Sequence, residues 1–379
     1  MTDFTFATAA TIRFGAGVAS ELPALSEGIG QRAFVVTGGN PDRVSAVLGG
    51  VEVAGSFALD GEPSFDDARA AIAAARECGA DHVIGIGGGA VLDLAKAVAA
   101  LAVEGGDPME HAEVIGQGRP LPGTGLAFIA VPTTAGTGSE VTTNAVLASA
   151  EHRVKVSLRS PAMLAKVAVV DPELTLTCPP EVTMQSGMDA LTQCLEPLTS
   201  RFANPMVEAL ALAGLRAAGR SLLRAVDQGD DLAARTDMAF CSLMGGLSLA
   251  NAKLGAVHGF AGVLGGMTGA PHGAICAALL EPVTAVNIAA LLDRAPKHKA
   301  LAGYLNAAEA LTGHRQIEAL GTWLGELEHQ LNLPGLGDLG LDPADHESVA
   351  EQAAKSSSMK GNPVELTREE LLEILDAAR

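Results

Sequence analysis

The sequence predicts an α/β domain with a parallel sheet, followed by an all-α domain. The 379 residues exceed what one hydrophobic core usually serves. The first half alternates continuous apolar runs with helical patterns, which is typical of a parallel sheet covered on both faces. After Asp171-Pro172 nearly every segment has helical periodicity, and we find no β-rich run there. We place the domain boundary near residue 178, which gives domains 1–178 and 179–379.

The elements of the first domain are short and end at glycine, proline or polar residues. The predicted strands are Arg32–Thr37, Val51–Phe57, His82–Ile86, Ala127–Val131 and Val167–Val170. The predicted helices are Asp42–Leu48, Ser64–Glu77 and Val91–Leu101. Strands that alternate with helices in this order are typical of nucleotide-binding domains.

Helix-breaking residues divide the second domain. The breaks are at Pro179-Pro180, Asn204-Pro205, Gly229-Asp230, Gly269-Ala270-Pro271, Gly313 and Pro334-Gly335. The last helix is predicted over Thr367–Ala378, and it begins with a capping box because Glu370 follows Thr367 by three positions.

Composition argues against two classes of partner. The formal net charge is −19 and aromatic residues make up 3%, so neither phosphate attraction nor base stacking favours nucleic acid. The most hydrophobic window that we identify, Val83–Val103, is interrupted by Asp93 and Lys96, and the N-terminus lacks the pattern of a signal peptide. We therefore expect neither a nucleic-acid partner nor a membrane span.

The cysteines indicate a reducing compartment. Their number is odd, and they are scattered mostly through apolar surroundings, at Cys78, Cys178, Cys194, Cys241 and Cys276. This pattern is typical of reduced core thiols rather than of a disulfide framework. We expect a cytoplasmic protein.

A stretch of twenty small and apolar residues, Gly255–Ala274, contains two ionisable side chains, His258 and His272. An imidazole in such surroundings needs a partner. The two histidines are either separate core residues bonded to backbone carbonyls or two ligands of a metal ion. Their spacing alone does not decide between these interpretations.

A third ligand is available on a predicted helix, Thr183–Thr199. Asp189, Gln193 and Glu196 fall at i, i+4 and i+7, on one helix face. Asp189 is the better ligand candidate, since it is flanked by apolar residues. Gln193 is either a ligand or a polar residue facing a cleft, and we interpret Glu196 as the latter.

Two loops that follow buried strands have the composition of a dinucleotide site. The first, Gly85–Lys96, contains three adjacent glycines before a helix, where backbone N–H groups can bind a diphosphate. The second, Pro132–Glu140, has four hydroxyls and two glycines. The alternative for the first loop is a tight strand-to-helix turn, which is the less favoured interpretation. The candidate cofactor-binding residues in these loops are Gly87, Gly88, Gly89, Ala90, Asp93, Thr133, Thr134, Thr137 and Ser139.

The order of motifs resembles the iron-containing (group III) alcohol dehydrogenase family over essentially the whole chain. The matching motifs are GGGAVLDLAK, PTTAGTGSE, Lys155 before SLRSP, VVDPELTLTCPP, GMDAL, and the VHG and PHG triplets of the two histidines. The resemblance implies a Rossmann-like N-terminal domain and a helical C-terminal domain, the dehydroquinate synthase-like fold. It also implies NAD or NADP and a divalent metal, Fe²⁺ or Zn²⁺, in a cleft.

The family's metal ligands fall on Asp189, His258 and His272, and its fourth ligand, a histidine, falls on Gln193. A neutral amide is a weaker donor than imidazole, so the site either keeps three strong ligands or binds its metal weakly. The family's second active-site histidine falls on Gly262, which removes the usual proton relay. Lys155 is a candidate for cofactor contact and catalysis, and His258 and His272 are assigned to the catalytic centre.

The turn after the predicted strand Arg32–Thr37 bears on the choice of dinucleotide. An acidic residue there would bind the ribose hydroxyls and repel a 2′-phosphate, but Gly38, Gly39 and Asn40 occupy the turn. With Arg43 nearby, we expect NADP(H) to be accepted, alongside NAD(H).

The implied activity is the interconversion of an alcohol and an aldehyde or ketone, with a small-molecule substrate and a homodimeric enzyme. A maleylacetate reductase-like enzyme, which reduces an unsaturated oxo-acid with weak or no metal, is the main competing hypothesis. A dehydroquinate-synthase-like cyclase and a non-catalytic relative are also compatible with the resemblance.

Overall fold

The computed structural model describes residues 3–104, 106–112, 115–121, 123–152 and 154–379. Internal contacts divide the chain into two compact units. The sheet unit comprises Thr8–Thr134 and Gly138–Leu176. The helical unit comprises Thr177–Arg379 together with Ala135–Thr137 and the residues up to Ala7.

The sheet unit contains a six-stranded sheet in which every pairing is parallel, as predicted. Its strands are β1 (Thr11–Phe14), β2 (Ala33–Gly38), β3 (Val53–Leu59), β4 (His82–Gly87), β5 (Ala127–Pro132) and β8 (Val167–Val170). The order across the sheet is β1-β8-β5-β4-β2-β3. A separate antiparallel pair is formed by β6 (Asn144–Ser149) and β7 (Val154–Arg159).

The central strands are buried because they are apolar on both faces. Val35, Ile84 and Ile129 are at most 1% exposed and form one core cluster. The helices of this unit are α1 (Leu22–Glu27), α2 (Phe65–Glu77) and α3 (Gly89–Leu101). Ser64 caps α2 in a reciprocal capping box with Asp67.

Three details of the sheet unit differ from the predictions. The predicted helix Asp42–Leu48 is only a 3₁₀ turn, Pro41–Val44, that begins where the Asn40 side chain accepts the N–H of Asp42. The strand predicted at Val51–Phe57 is shifted to Val53–Leu59. Strands β1, β6 and β7 were not predicted. Strands β1 and β7 alternate apolar and polar residues, whereas the prediction relied on continuous apolar runs. In β6 the apolar run is only four residues long.

The helical unit is built from helices that begin and end near the predicted breaks. They are α4 (Pro180–Thr199), α5 (Pro205–Asp227), α6 (Leu232–Ala252), α7 (Ala256–Thr268), α8 (His272–Arg294), α9 (Lys299–Thr312), α10 (Ile317–Leu331), α11 (His346–Ala354) and α12 (Arg368–Ala377). Asn204 caps α5, Gly313 ends α9 with φ +78°, and Thr367 and Glu370 form the predicted capping box of α12.

Helix α8 is the most apolar long helix of the described residues. By length and composition it could cross a membrane, as could α6 and α7 taken together as one span bent by 100°. However, 78% of the apolar window of α8 is buried inside the structure, as in the core helix of a soluble protein. The window that we singled out in the sequence, Val83–Val103, contains most of β4 and all of α3, so it does not form a single helix.

No disulfide joins any of the five cysteines, all of which lie in the part of the chain that the structure describes, and only three of them are core residues. Cys194, Cys241 and Cys276 are buried, whereas Cys78 and Cys178 are half-buried. The Sγ atoms of Cys194 and Cys241 lie 3.9 Å apart in the core. Cys276 has polar surroundings, which are described below.

Candidate metal centre and dinucleotide-binding edge

Helix α4 carries three buried polar side chains on one face. Asp189, Gln193 and Glu196 are 2%, 3% and 7% exposed. Their spacing of four and three residues places them along one side of the helix. Polar groups at this depth are stable only with partners, and the partners are the two histidines predicted from the sequence.

Glu196 fixes both the start of α7 and the orientation of His258. Its Oε1 accepts the backbone N–H of Val257 at 2.7 Å, and its Oε2 accepts the Nδ1–H of His258 at 2.6 Å. With Nδ1 protonated, the lone pair of Nε2 is available to a metal ion, an arrangement typical of ligating histidines. The interpretation of Glu196 as a polar residue at a cleft was therefore wrong: it is buried and positions His258.

His272 is the first residue of α8 and lies beside α4 because of its neighbour, Gly273. A Cβ on Gly273 would come within 2.2 Å of the backbone oxygen of Gln185 in α4, so a larger residue would push the two helices apart. The close approach brings Nε2 of His272 to 3.8 Å from Oδ1 of Asp189. The side chain of His272 is 39% exposed, so the centre is accessible from this side.

Four potential ligand atoms converge at this point. Asp189, His258, His272 and Cys276 each offer one atom, and all four atoms lie within 4.8 Å of one another. Oδ1 of Asp189 is 3.2 Å from Nε2 of His258. The Sγ of Cys276 is 3.7 Å from Nε2 of His272 and 4.0 Å from Nε2 of His258. The sequence analysis missed Cys276, although its position four residues after His272 places both on one face of α8.

Burial and neighbouring charges shift the pKa values of this centre in opposite directions. Burial by itself lowers the pKa of His258, but Cys276, Asp189 and Glu196 outweigh it and raise that pKa well above its ordinary value. Cys276 also raises the pKa of His272. Burial raises the pKa of Cys276 and of Asp189, but the histidines more than offset this effect, so both pKa values are lowered. The group therefore favours an anionic carboxylate and thiol, which are the forms that bind cations.

Gln193 holds Asp189 in place. Its Nε2 donates to Oδ2 of Asp189 at 2.7 Å, which leaves Oδ1 to face the histidines. Its Oε1 is buried without a hydrogen-bond partner among the described residues. An orphaned acceptor beside a carboxylate, two imidazoles and a thiol fits a divalent cation, because a cation supplies the positive charge that such a set of donors lacks.

The candidate dinucleotide residues cluster at one edge of the sheet. Gly38–Asn40 follow β2, Gly87–Ala90 end β4 and begin α3, and Thr133 and Thr134 follow β5. These three strands are neighbours and parallel, so their carboxyl ends lie at the same edge. Strand β3 lies on one side of β2 and β4 on the other, which makes this edge the topological switch point where nucleotides bind in such sheets.

The glycine-rich turn has a packing role as well as an accessible helix end. A Cβ on Gly87 would lie 2.6 Å from Cβ of Val91, so Gly87 is required by the tight turn into α3. Gly88 precedes α3, and within the described residues no side chain caps the helix and no acidic residue occupies its first turn. Its first N–H groups are thus available to an anion, as predicted for Gly88, Gly89 and Ala90.

Two residues predicted to contact the cofactor instead bond to each other. Oδ1 of Asp93 accepts the hydroxyl of Ser139 at 2.6 Å, and Oδ2 accepts the N–H of Val146 at 2.9 Å. Ser139 also accepts from the fully buried Lys96 at 2.6 Å, and Lys96 donates to Thr142 at 2.7 Å. We therefore interpret Asp93 and Ser139 as parts of a structural network in the sheet unit.

The remaining predicted residues occupy separate positions. Lys155 lies on β7 and pairs with Glu62 at 3.3 Å. Thr137 belongs to the short segment grouped with the helical unit, and the Asn40 side chain caps its own turn. Gly262 lies on α7, and a Cβ there would meet nothing within 4 Å, so the space left by the missing histidine is open.

Two models of known protein families match the chain. The model of iron-containing alcohol dehydrogenases matches residues 9–172, and the C-terminal model of the Fe-containing alcohol dehydrogenase family matches residues 183–379. Long-chain-alcohol dehydrogenase 1 of Geobacillus thermodenitrificans is 37% identical over 323 residues, which are 84% of this chain and 80% of that protein.

Solved structures agree with these matches over the full length. A 1,3-propanediol oxidoreductase superposes with a TM-score of 0.89 at 31% identity, covering 100% of both chains. A sulfoacetaldehyde reductase from Bifidobacterium kashiwanohense, solved with NAD⁺, gives 0.88 at 27% identity, covering 99% of this chain and 98% of that one. Maleylacetate reductase from Agrobacterium tumefaciens gives 0.81 at 27% identity, covering 100% and 98%. The last similarity supports a relationship and not a shared substrate.

The motif order, the fold and the matches lead to one assignment. The predicted α/β plus all-α architecture is confirmed, as is an oxidoreductase that acts on small-molecule alcohols or aldehydes with NAD(P) and a metal. The two family models together cover most of the chain. The chain belongs to the iron-containing alcohol dehydrogenase family.

Proposed function

We propose that residues 179–379 hold a divalent cation through Asp189, His258 and His272, while residues 1–178 bind the dinucleotide. The observation that carries this proposal is the convergence of four donors from three helices within 4.8 Å, of which all but the half-exposed His272 are buried. Chance clustering of buried ionisable groups is disfavoured, because each must lose its hydration. Gln193 is proposed to contribute at most a weak interaction with the cation, through its orphaned Oε1.

The roles of the residues follow from their contacts. The cation supplies Lewis acidity toward an alcohol or carbonyl oxygen, and the nicotinamide ring supplies or accepts the hydride. Glu196 keeps Nε2 of His258 directed at Asp189, and Gln193 keeps Oδ1 of Asp189 directed at the histidines. The half-exposed His272 marks the side from which substrate approaches.

The histidine that usually relays the proton in the family is replaced by Gly262 in this chain. Since Gly262 offers no titratable group, we propose that the proton passes through water, the ribose hydroxyl of the nicotinamide or Lys155. The side chain of Lys155 pairs with Glu62 in the sheet unit. Its role in catalysis therefore depends on release from that pair.

The dinucleotide is proposed to contact Gly38, Gly39 and Asn40 together with Gly88–Ala90, Thr133, Thr134 and Thr137. The absence of a carboxylate on the β2 turn supports acceptance of NADP(H). Asp60, which directly follows β3, disfavours NADP(H), because its carboxylate lies beside this turn. The Oδ1 atom of Asp60 is 3.5 Å from where a Cβ on Gly39 would be. We propose that both dinucleotides are used, with Asp60 limiting the binding of the 2′-phosphate.

Assembly and location follow from the resemblance and the composition. We propose a cytoplasmic homodimer without nucleic-acid or membrane partners. The net charge of −19 supports the exclusion of nucleic acid, and the burial of α8 supports the absence of a membrane span.

The competing functions have different requirements. A maleylacetate reductase-like enzyme would reduce an unsaturated oxo-acid without metal, a cyclase would require a sugar phosphate, and a non-catalytic relative would turn over nothing. NAD(P)H oxidation with a panel of aldehydes, ketones and oxo-acids, with and without added Fe²⁺, Zn²⁺ or Mn²⁺, separates them. We expect turnover of an aldehyde or ketone that requires metal. Full turnover of an unsaturated oxo-acid after metal removal would overturn the metal role.

A further inference from the structure

We propose that Cys276, rather than Gln193, is the fourth strong ligand of the metal centre, and that the resting site is a four-coordinate Asp/His/His/Cys site suited to zinc. The inference rests on the proposed metal centre and identifies which residue completes it. It concerns a position where this chain departs from the family, because the family's fourth histidine is replaced by Gln193.

The spacing of the four donors agrees with a tetrahedral ion. With metal–sulfur and metal–nitrogen bonds of about 2.3 and 2.0 Å, the edges of a zinc tetrahedron are about 3.3–3.6 Å. The Sγ of Cys276 lies 3.7 and 4.0 Å from the Nε2 atoms of His272 and His258. Oδ1 of Asp189 lies 3.2 and 3.8 Å from the Nε2 atoms of His258 and His272. These four distances lie within about 0.5 Å of the tetrahedral edges. The two remaining donor–donor distances are at most 4.8 Å.

The surroundings of Cys276 differ from those of the other core thiols. Cys194 and Cys241 contact each other, with Sγ atoms 3.9 Å apart. Cys276 instead points at two imidazoles, of which His258 has its Nδ1 bonded to Glu196 and its Nε2 turned inward. A fully buried sulfur placed beside two inward-facing ring nitrogens is positioned as a ligand, not as a packing residue.

The side chain of Gln193 already makes a hydrogen bond to Asp189. Its amide nitrogen holds Oδ2 of Asp189, so the side chain positions a ligand. The amide oxygen that remains is a neutral, hard donor, whereas a thiolate is anionic and soft, and it favours zinc over iron. The substitution of histidine by glutamine on α4 is thereby compensated by a thiol on α8.

A fourth protein ligand has a consequence for substrate binding. Catalytic zinc sites usually keep one position open. With Asp189, His258, His272 and Cys276 all bound, room for substrate must come from expansion to five donors. The half-exposed side of His272 is where this expansion meets solvent.

Cobalt substitution tests the assignment without measuring turnover. Metal-stripped full-length protein is loaded with Co²⁺, and the near-ultraviolet thiolate-to-cobalt charge-transfer band is recorded. We expect this band in the wild type and its loss in Cys276→Ser. Cys194→Ser, which removes a buried thiol whose Sγ lies 3.9 Å from that of Cys241, keeps the band, and so does Gln193→Ala. Far-ultraviolet circular dichroism confirms that each variant is folded.

The outcomes separate this inference from the proposed centre. Stoichiometric cobalt binding without a thiolate band overturns the role of Cys276 but leaves the centre of Asp189, His258 and His272 in place. Loss of the band in Gln193→Ala, with the band retained in Cys276→Ser, also overturns it. Failure of wild-type protein to bind cobalt contradicts the metal centre itself, and with it this inference.

Discussion

The dinucleotide edge and the metal centre are built from different parts of the chain. The edge consists mainly of backbone, since Gly88–Ala90 present N–H groups and Gly38 presents no side chain at all. The centre consists of side chains from three helices, and two of them are held by a further side chain, since Glu196 holds His258 and Gln193 holds Asp189. We infer that the edge tolerates change wherever a Cβ fits, while the centre tolerates little.

The two regions also use buried charge differently. At the centre, the ligand atoms of Asp189, His258, His272 and Cys276 face one another within 4.8 Å. Beside them, the acceptor Oε1 of Gln193 has no hydrogen-bond partner among the described residues. In the sheet unit Lys96 is fully buried, but its Nζ bonds to Ser139, Thr142 and Asn144. A satisfied network is typical of a structural role, and an unsatisfied one indicates a ligand.

The largest effect is expected at the centre. His272→Ala should abolish bound metal and lower kcat/KM by about 1,000-fold, because Lewis acidity contributes several kcal/mol to the transition state. Elemental analysis and steady-state kinetics measure the two losses together. His314→Ala, which removes an exposed imidazole, is the control. Normal metal content in the His272 variant would contradict its assignment as a ligand.

A stability effect is expected in the sheet unit at Glu140. Burial raises the pKa of Glu140 from 4.5 to about 7, so the folded protein holds this proton more tightly than the unfolded chain. The resulting stability is complete below about pH 4.5 and is lost as the pH rises through about 7. Glu140→Gln stays neutral, and above pH 7 it should raise the free energy of unfolding by about 3 kcal/mol.

Urea denaturation at pH 5 and pH 8 measures the effect of the Glu140 substitution. The exposed Glu173→Gln, in the same unit, serves as the control. Equal pH dependence in the wild type and Glu140→Gln would show that Glu140 does not titrate as its burial implies.

A smaller effect is expected from Glu196→Gln. The amide keeps a hydrogen bond to His258 but loses the negative charge that strengthens this histidine as a ligand. We expect metal affinity to fall by about 10- to 100-fold, which is usual for residues that orient ligands. Competition with a chromogenic chelator measures the affinity, and the exposed Glu181→Gln on the same helix is the control. An unchanged affinity would remove Glu196 from the centre.

The smallest effect is expected at the edge. A Cβ on Gly38 meets nothing within 4 Å, so Gly38→Asp fits. Its carboxylate should repel a 2′-phosphate and lower kcat/KM for NADPH relative to NADH by about tenfold, while Gly38→Asn, of the same size, should not. If both variants change the ratio equally, charge at this turn does not select the dinucleotide.

The fold was predictable where local chemistry decides it. Strands β4, β5 and β8 are continuous apolar runs, and α12 begins at a capping box that is visible in the sequence. The helix predicted at Asp42–Leu48 failed because Pro41 and the Asn40 cap produce a single 3₁₀ turn. The hairpin of β6 and β7 was missed although β7 alternates apolar and polar residues as VKVSLR, because the prediction of strands relied on continuous apolar runs.

The site was predictable only in part. The resemblance assigned Asp189, His258 and His272 to the metal, and the structure brings them together. A core thiol and a ligand have the same sequence appearance, so Cys276 could be recognised only from its contacts with two imidazoles. Glu196 was misjudged for the same reason, because its partners lie on another helix.

Metal removal and titration test the central claim most directly. The protein is stripped with a chelator, Zn²⁺ or Fe²⁺ is added back in steps, and bound metal and turnover of an aldehyde are measured on the same samples. The account predicts that both rise together and reach a plateau at a single ion per chain, with no rise in Asp189→Asn. Full turnover in the stripped protein, or turnover that rises equally in Asp189→Asn, would contradict it.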